Sequence, residues 1–302
     1  GAGLGMFDAF FESVSGLTTT GSTVMSGLDS QPPGILLWRS LLQWIGGIGI
    51  VVFSIFLFPY LNTSGQQLFQ LESSDTSEKA FARFETFAIR ILYLYLFLSL
   101  VCALTYGALG MSVFDAICHA MTTVSSGGYS TSDLSMAKFH SIPMLWASSF
   151  FMFLAGSPFL VIMMLLTTKR PAFDVQVWWL LAIIAAAVLT IILSMGLNNE
   201  ILTFERLSSV VFAVVSIITT TGYAYEDYGL WPPTAMAVIF LITLVGGCSG
   251  STSGGFKVSR IVALAGITSR TFGRMLHPNS VRNVRYGEAT VTHDDVFDLA
   301  TF

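Results

Sequence analysis

"SGLTTTGST" (15–23) sits beside apolar sequence, and "SIITTTGYA" (216–224) carries the same three threonines and glycine much later in the chain. A third copy lies between them. "FDAFFESVSGLTTTGS" (7–22) can be laid on "FDAICHAMTTVSSGGY" (114–129) without a gap, pairing Phe7 with Phe114, Asp8 with Asp115, Ala9 with Ala116 and Gly21 with Gly128. "SSVVFAVVSIITTTGY" (208–223) brings Gly222 to the same column. The three glycines stand 107 and then 94 residues apart, so the chain repeats at about 100 residues, and a repeat outranks local readings.

The setting is a membrane. Of 302 residues, 53% are hydrophobic and 11% charged, and the mean hydropathy is +0.72. A soluble domain carries about 25% charged residues. Spans of about 20 apolar residues are expected over 35–61, 87–109, 143–166, 177–197 and 233–248, the last resuming past a Gly/Ser-rich break at 256–269. The stretches 7–17, 114–124 and 208–218 are too short to cross and suit re-entrant half-helices. Each unit then reads as span, half-helix, polar run, span. The net charge of −4 suggests no nucleic-acid partner. Cys102, Cys118 and Cys248 are scattered, which argues against a disulfide framework, and the four histidines lack metal-ligand spacing. The chain opens without methionine inside a patterned segment and closes as a new apolar stretch begins. We read it as a piece of a longer chain.

Charge sets the orientation. The connections on the side of the polar runs hold Arg39, Lys138 and Arg206. The opposite connections hold Lys79, Arg83, Lys169, Arg170, Arg270, Arg274, Arg282 and Arg285, with Lys257 and Arg260 nearer the membrane. Basic residues favour the cytoplasm, so the runs open outward. Asp29, Asp133, Glu200, Glu226 and Asp227 on that outer face either draw cations to the entrance or are ordinary loop charges. Asp8 and Asp115 start two half-helices, where a carboxylate offsets the helix dipole. Glu12 and His119 share a column inside those half-helices and are candidates for bonds to neighbouring repeats.

Non-helical backbone at membrane depth must be buried by protein or line water. Around an axial pore, extended backbone presents successive carbonyl oxygens, and rings of carbonyls replace the hydration shell of a potassium ion. Threonine and serine hydroxyls add ligands or anchors. The C-terminal end of each half-helix favours a cation nearby.

The chain resembles the membrane subunit of the Trk/Ktr/HKT potassium transporter superfamily, nearest to its bacterial TrkH/TrkG type. "SGLTTTGS", "TTVSSGGYS" and "SIITTTGY" look like its filter segments and "LLQWIGGIGIVVF" (41–53) like the second span of the first repeat. "GGCSGSTSGGFK" (246–257) looks like the interruption of the third repeat's second span, and "HPNSVRNVRYGE" (277–288) like the connection to a fourth repeat. The resemblance implies an all-α polytopic membrane protein of span–pore-loop–span units around a pseudo-fourfold ion pore, three loops being present. The units are 1–65, 66–170, 171–270, and 271–302 as the connection and start of repeat four. It implies that Gly21, Gly128 and Gly222 are filter glycines, with Thr18, Thr19 and Thr20, Ser125, Ser126 and Gly127, and Thr219, Thr220 and Thr221 supplying carbonyl ligands. The transported ion is then K⁺, with no organic cofactor. A homodimer in the bacterial inner membrane, contacting lipid and docked on a cytosolic TrkA-like nucleotide-binding ring, follows from the same resemblance. The basic segment 270–285 either meets that ring or anchors the chain.

The Gly/Ser stretch is Gly246, Gly247, Cys248, Ser249, Gly250, Ser251, Thr252, Ser253, Gly254 and Gly255. Five glycines, each costing about 1 kcal/mol against alanine in a helix, predict a break in the span. The resemblance implies a gate there; a passive kink is the plainer alternative. Lys257 either opposes cation passage or snorkels to the interface. Neither a phosphate-binding loop nor a nucleophile elbow fits, because Phe256 interrupts Gly255 and Lys257 and Thr252 occupies the centre of "GSTSG" (250–254). The small residues of "WIGGIGI" (44–50) predict close packing. Asn62-Thr63-Ser64 matches a glycosylation acceptor but falls on the expected cytoplasmic side. The alternatives are a sodium-permeable or ion-coupled symporter of the same architecture, and an alternating-access carrier, which parallel repeats weigh against. No paired nucleophile and base supports an enzyme.

Overall fold

The computed structural model describes residues 4–57, 77–168, 174–198, 201–276, 284–286 and 289–291. Ten α-helices organise them. Three are the half-helices: α1 (Met6–Leu17), α4 (Val113–Val124) and α8 (Phe204–Ile218). Around them run α2 (Pro33–Leu57), α3 (Ser77–Ala108), α5 (Ile142–Ala155), α6 (Phe159–Thr168), α7 (Val175–Leu197), α9 (Pro233–Thr243) and α10 (Val258–Leu276). A short antiparallel pair, β1 (Val284–Tyr286) with β2 (Ala289–Val291), supplies the strands among the described residues. Asn62, Lys169, Arg170, Glu200, His277, Arg282 and His293 lie outside the described residues.

Local chemistry starts the half-helices. Ser112 accepts the Asp115 N–H at 3.1 Å, capping α4, and donates its hydroxyl to the Asp115 carboxylate at 2.8 Å. Thr203 caps α8 through the Arg206 N–H, while α1 starts at Gly5 with no side-chain cap. Each half-helix leans on the apolar helices of its own unit: α1 on α2, α4 on α3 and α5, α8 on α7 and α9. Two also lean on the preceding unit, α4 on α2 and α8 on α5. One continuous apolar core runs through these contacts, from Tyr95 and Tyr106 of α3 to Leu180 of α7 and Phe212 of α8.

The segments Ala88–Ala108 and Val175–Leu197 are long and apolar enough to cross a membrane. The expected span 143–166 is not one helix. It breaks after Ala155, and α5 and α6 meet at 102°. Pro158 brings no N–H and opposes helical geometry before it. The freed backbone is satisfied from far away: Cys248 N–H donates to Gly156 O at 2.9 Å, Thr252 N–H to Ala155 O at 3.3 Å, and Phe159 N–H to Gly250 O at 3.0 Å. The break expected at the Gly/Ser stretch is present, with residues 244–257 non-helical between α9 and α10. The two interruptions therefore fasten to each other.

Candidate ion pathway

The three polar runs leave their half-helices by the same turn. Thr19, Ser126 and Thr220 have φ of 55°, 54° and 55°, and Gly21, Gly128 and Gly222 have φ of 77°, 76° and 82°. Thr19 N–H donates to Gly16 O and Thr20 N–H to Ser15 O; the same pair recurs at Ser126 and Gly127, and at Thr220 and Thr221, with lengths of 2.9–3.1 Å. This is the Schellman arrangement, which normally places glycine at its left-handed residue. Here a hydroxyl residue is held there three times, at about 1–2 kcal/mol each. Strain of that kind persists only where the surroundings enforce it and gathers at functional sites. The turn consumes the amides of each run by pointing them back down the half-helix, so the carbonyls project beyond its C-terminal end.

Neighbouring runs then abut. A Cβ built on Gly21 would stand 2.2 Å from Gly127 O, and one on Gly128 would stand 1.8 Å from Thr221 O. Nothing lies within 4 Å of the corresponding position on Gly222. Each contact joins the glycine of one run to the carbonyl of the next, in chain order. The residue after the glycine ties the loops in the opposite sense. Tyr129 Oη is 3.2 Å from the carbonyls of Glu12 and Ser22. Tyr223 Oη bonds His119 O at 3.1 Å and Thr123 Oγ1 at 3.2 Å.

Directly against the runs lies the Gly/Ser stretch. Thr252 Oγ1 is 2.9 Å from Ser126 Oγ and 3.1 Å from both Val124 O and Ala155 O. Gly254 N–H donates to Thr220 Oγ1 at 2.7 Å. Val245 and Phe256 pair as a bridge, closing the stretch into a loop. Ser249 N–H reaches Gln176 Oε1 of α7 at 2.9 Å, and Ser251 Oγ donates to Cys248 O at 2.6 Å. Lys257 Nζ donates to Ser253 O, so this ammonium grips its own loop. Thr252 and Ser253 are buried, while Gly254, Gly255 and Phe256 are exposed.

A family profile described as TrkH, cation transport protein, matches residues 1–301. The chain belongs to the TrkH family. The Trk system potassium uptake protein TrkI of Halomonas elongata is 39% identical over 302 residues, covering 99% of this chain and 61% of its own length. TrkH of Escherichia coli is 34% identical over 289 residues, 93% of this chain and 59% of its own. The crystal structure of the potassium transporter TrkH from Vibrio parahaemolyticus superposes with a TM-score of 0.88 at 30% identity, over 99% of this chain and 62% of that one. The chain thus spans about three fifths of the length of the relatives it matches. It is an integral membrane, transporter-family chain and not an enzyme.

Within this TrkH-family chain, several polar residues hold the scaffold. The side chains of Glu12 and His119 bond inside their own units, while their backbone carbonyls take the hydroxyls of Tyr129 and Tyr223 from the next unit. Glu12 accepts Thr23 Oγ1 and the N–H groups of Val24 and Met25, and His119 Nε2 lies 3.1 Å from Ser130 Oγ. Both reach the residue eleven positions on, where the chain returns outward. Arg39 is buried against Glu12 at 3.1 Å and lies 4.0 Å from the Tyr129 ring centre. Glu12→Ala would leave that guanidinium unpaired, so we expect a loss of about 3–5 kcal/mol, read as a clear fall in thermal stability in detergent.

The outer acidic residues are largely occupied. Asp29 pairs with Lys138 at 3.2 Å and accepts Ser132 Oγ at 2.8 Å. Its carboxyl is held below the usual carboxylate range, first by that hydroxyl, with burial opposing it and the hydrogen bond and charge of Lys138 adding smaller lowering effects. Asp133 accepts the Gly27 and Leu28 N–H groups, Glu226 pairs with Arg206, and Asp227 caps Gly229. These contacts favour the loop-charge reading. Asp115 and Asp8 both sit in the first turn of their half-helices; Asp115 is bonded to the cap residue Ser112, whereas α1 has no side-chain cap. Cys102, Cys118 and Cys248 are each buried and unpaired. In "WIGGIGI" the close approach is to helices and to a polar run together: a Cβ on Gly46 would lie 1.9 Å from Leu17 O at the end of α1, and one on Gly47 would lie 2.9 Å from Tyr95 Oη of α3 and 2.6 Å from Ser125 Cβ. Sequence reasoning passed over Gln43, Tyr129 and Tyr223. For the tyrosines a signal was available in the repeated Gly-Tyr after the second and third runs.

Proposed function

We propose that this chain builds most of a potassium-uptake pore of the bacterial inner membrane, from units 1–65, 66–170 and 171–270 with 271–302 leading into a fourth. Potassium is the cargo. Its filter ligands are the carbonyls of Thr18–Gly21, Ser125–Gly128 and Thr219–Gly222. The observation that carries the reading is the threefold Schellman exit, which spends the amides on the half-helix and leaves the carbonyls facing ahead, run beside run. Membership of the TrkH family and the printed names of the relatives support potassium as the ion. Low-potassium growth tests it. Cells lacking their own uptake systems should be rescued by this chain completed to the length of its relatives. A well-expressed protein that neither rescues growth nor passes rubidium in vesicles would overturn the reading.

Residues 246–255 with Lys257 are proposed as the gate, supported by their contacts to Ser126 and Thr220 of two runs. Lys257 would hold the loop shut through Ser253 O while placing a positive charge on the ion path. Lys257→Gln should raise rubidium flux several-fold, and unchanged flux would remove the lysine from gating. The family reading also supplies a homodimer and a TrkA-like cytosolic ring that contacts 270–285. Light scattering of the detergent-solubilised protein, alone and with such a ring, tests both.

A further inference from the structure

We infer that Gln43 of α2 is a positioning residue for the second filter segment, standing in for the threonine side chain which that segment lacks. The inference rests on the filter reading above. Gln43 is 0% exposed. Its Nε2 donates to Gly127 O at 2.8 Å and its Oε1 accepts the Tyr129 N–H at 3.0 Å. One carboxamide therefore grips the chain on both sides of Gly128 and fixes the two peptide planes that flank the filter glycine.

Two departures from the repeat meet at this point. Laying Pro33, Pro143 and Pro233 on one another places Gln43 on Phe153 and Thr243, so the carboxamide is special to the first unit. The filter column of Thr20 and Thr221 holds Gly127 in the second unit. Gly127 is absent from the positive-φ glycines, so glycine is not required there for its backbone. It is required for space: a Cβ would lie 2.4 Å from Gln43 Cδ and 2.5 Å from Oε1. In the first and third runs the threonine hydroxyls brace each other, Thr18 to Thr20 at 2.7 Å and Thr219 to Thr221 at 2.8 Å. The second run has Ser125 but no hydroxyl at 127, and the brace comes from α2 instead.

The braced oxygen is also the one that borders Gly21 of the first run. A carbonyl that already accepts a hydrogen bond cannot turn freely toward an ion. Gln43 thereby sets both the direction and the electron-donating strength of one ligand in this ring, and with it the preference for potassium over the smaller, more tightly hydrated sodium ion.

The test uses this chain completed to the length of its relatives, in vesicles, with potassium and sodium flux measured side by side. Gln43→Met keeps the length and apolar bulk but removes both bonds. The potassium-to-sodium ratio should fall about tenfold, a readout that a merely structural role would not move in correctly folded protein. If Gln43→Met fails to fold, a swap decides. Gly127→Thr alone should abolish flux by landing on the carboxamide, and Gln43→Ala with Gly127→Thr should restore at least tenfold of it. The inference is overturned if Gln43→Met transports with the parent's ratio, or if the double variant folds yet is as inactive as Gly127→Thr. Gly128→Ser separates the two readings. If it shifts the ratio and Gln43→Met does not, only Gln43's role falls. If it leaves the ratio unchanged, the filter assignment falls first.

Discussion

Gly128→Ser should cut the potassium preference of transport at least tenfold and weaken growth at low potassium. Two effects add at this position. The residue sits at φ 76°, where a side chain is strained, and its Cβ would stand 1.8 Å from Thr221 O, a backbone atom with no flexible end to swing away. Left-handed strain costs about 1–2 kcal/mol and overpacking typically about 1–3 kcal/mol more. Either the second or the third run must shift to relieve it, and about 1.4 kcal/mol of differential binding is a factor of ten. Competition of sodium against rubidium uptake measures the result. Serine accepted there with the parent's ion preference would mean that the run does not coordinate the ion.

Gly246→Ala is expected to act in the opposite direction and raise resting flux about tenfold. In the folded-back loop a Cβ on residue 246 would lie 1.9 Å from Gly254 O and 2.9 Å from Gly255 C. The collision is between the two arms of the loop, beside the bridge of Val245 with Phe256. If the loop is the gate proposed above, the collision penalises its folded-back form by about 1–3 kcal/mol and shifts the population toward opening. A passive kink would behave otherwise: flux would stay level or fall together with thermal stability. Rubidium efflux from vesicles, alongside a melting curve, distinguishes the two.

The half-helices and their polar runs were legible because local signals coincide there: a starting carboxylate read in two of them (Asp8 and Asp115), a short apolar run, and a glycine in a repeating column. Glu205, in the first turn of the third, went unread because that helix begins at Phe204, four residues before the expected 208. The Gly/Ser break was legible because five glycines in ten residues cannot sustain a helix. The break at Gly156–Pro158 was not, since 143–166 is largely apolar along its whole length and reads as one span. What opens it is the backbone of residues 248–252, a partner far away in sequence. Gln43 escaped for the same reason. A lone glutamine in "LLQWIGG" (41–47) looks like a polar residue accepted by a span, and its partners lie 84 and 86 residues away. The shared column of Glu12 and His119 was visible, but their partners depended on the chain reversing after the glycine. The left-handed threonines had no composition signal at all, because glycine is the usual sign of that turn and here it comes two residues later.

Thr252 on Ser126 and Gly254 on Thr220 make the Gly/Ser stretch and two of the polar runs a single hydrogen-bonded unit, which on the proposed reading joins gate to filter. Thermodynamic reciprocity then applies. Whatever factor an ion at Ser126 and Thr220 exerts on release of the loop, release of the loop exerts on the affinity for that ion. An ion that loosens these hydroxyls favours its own onward passage, and a loop pulled down from the cytosolic side slackens the site above it. Potassium arriving from outside and a signal arriving from inside would act on the same few hydrogen bonds.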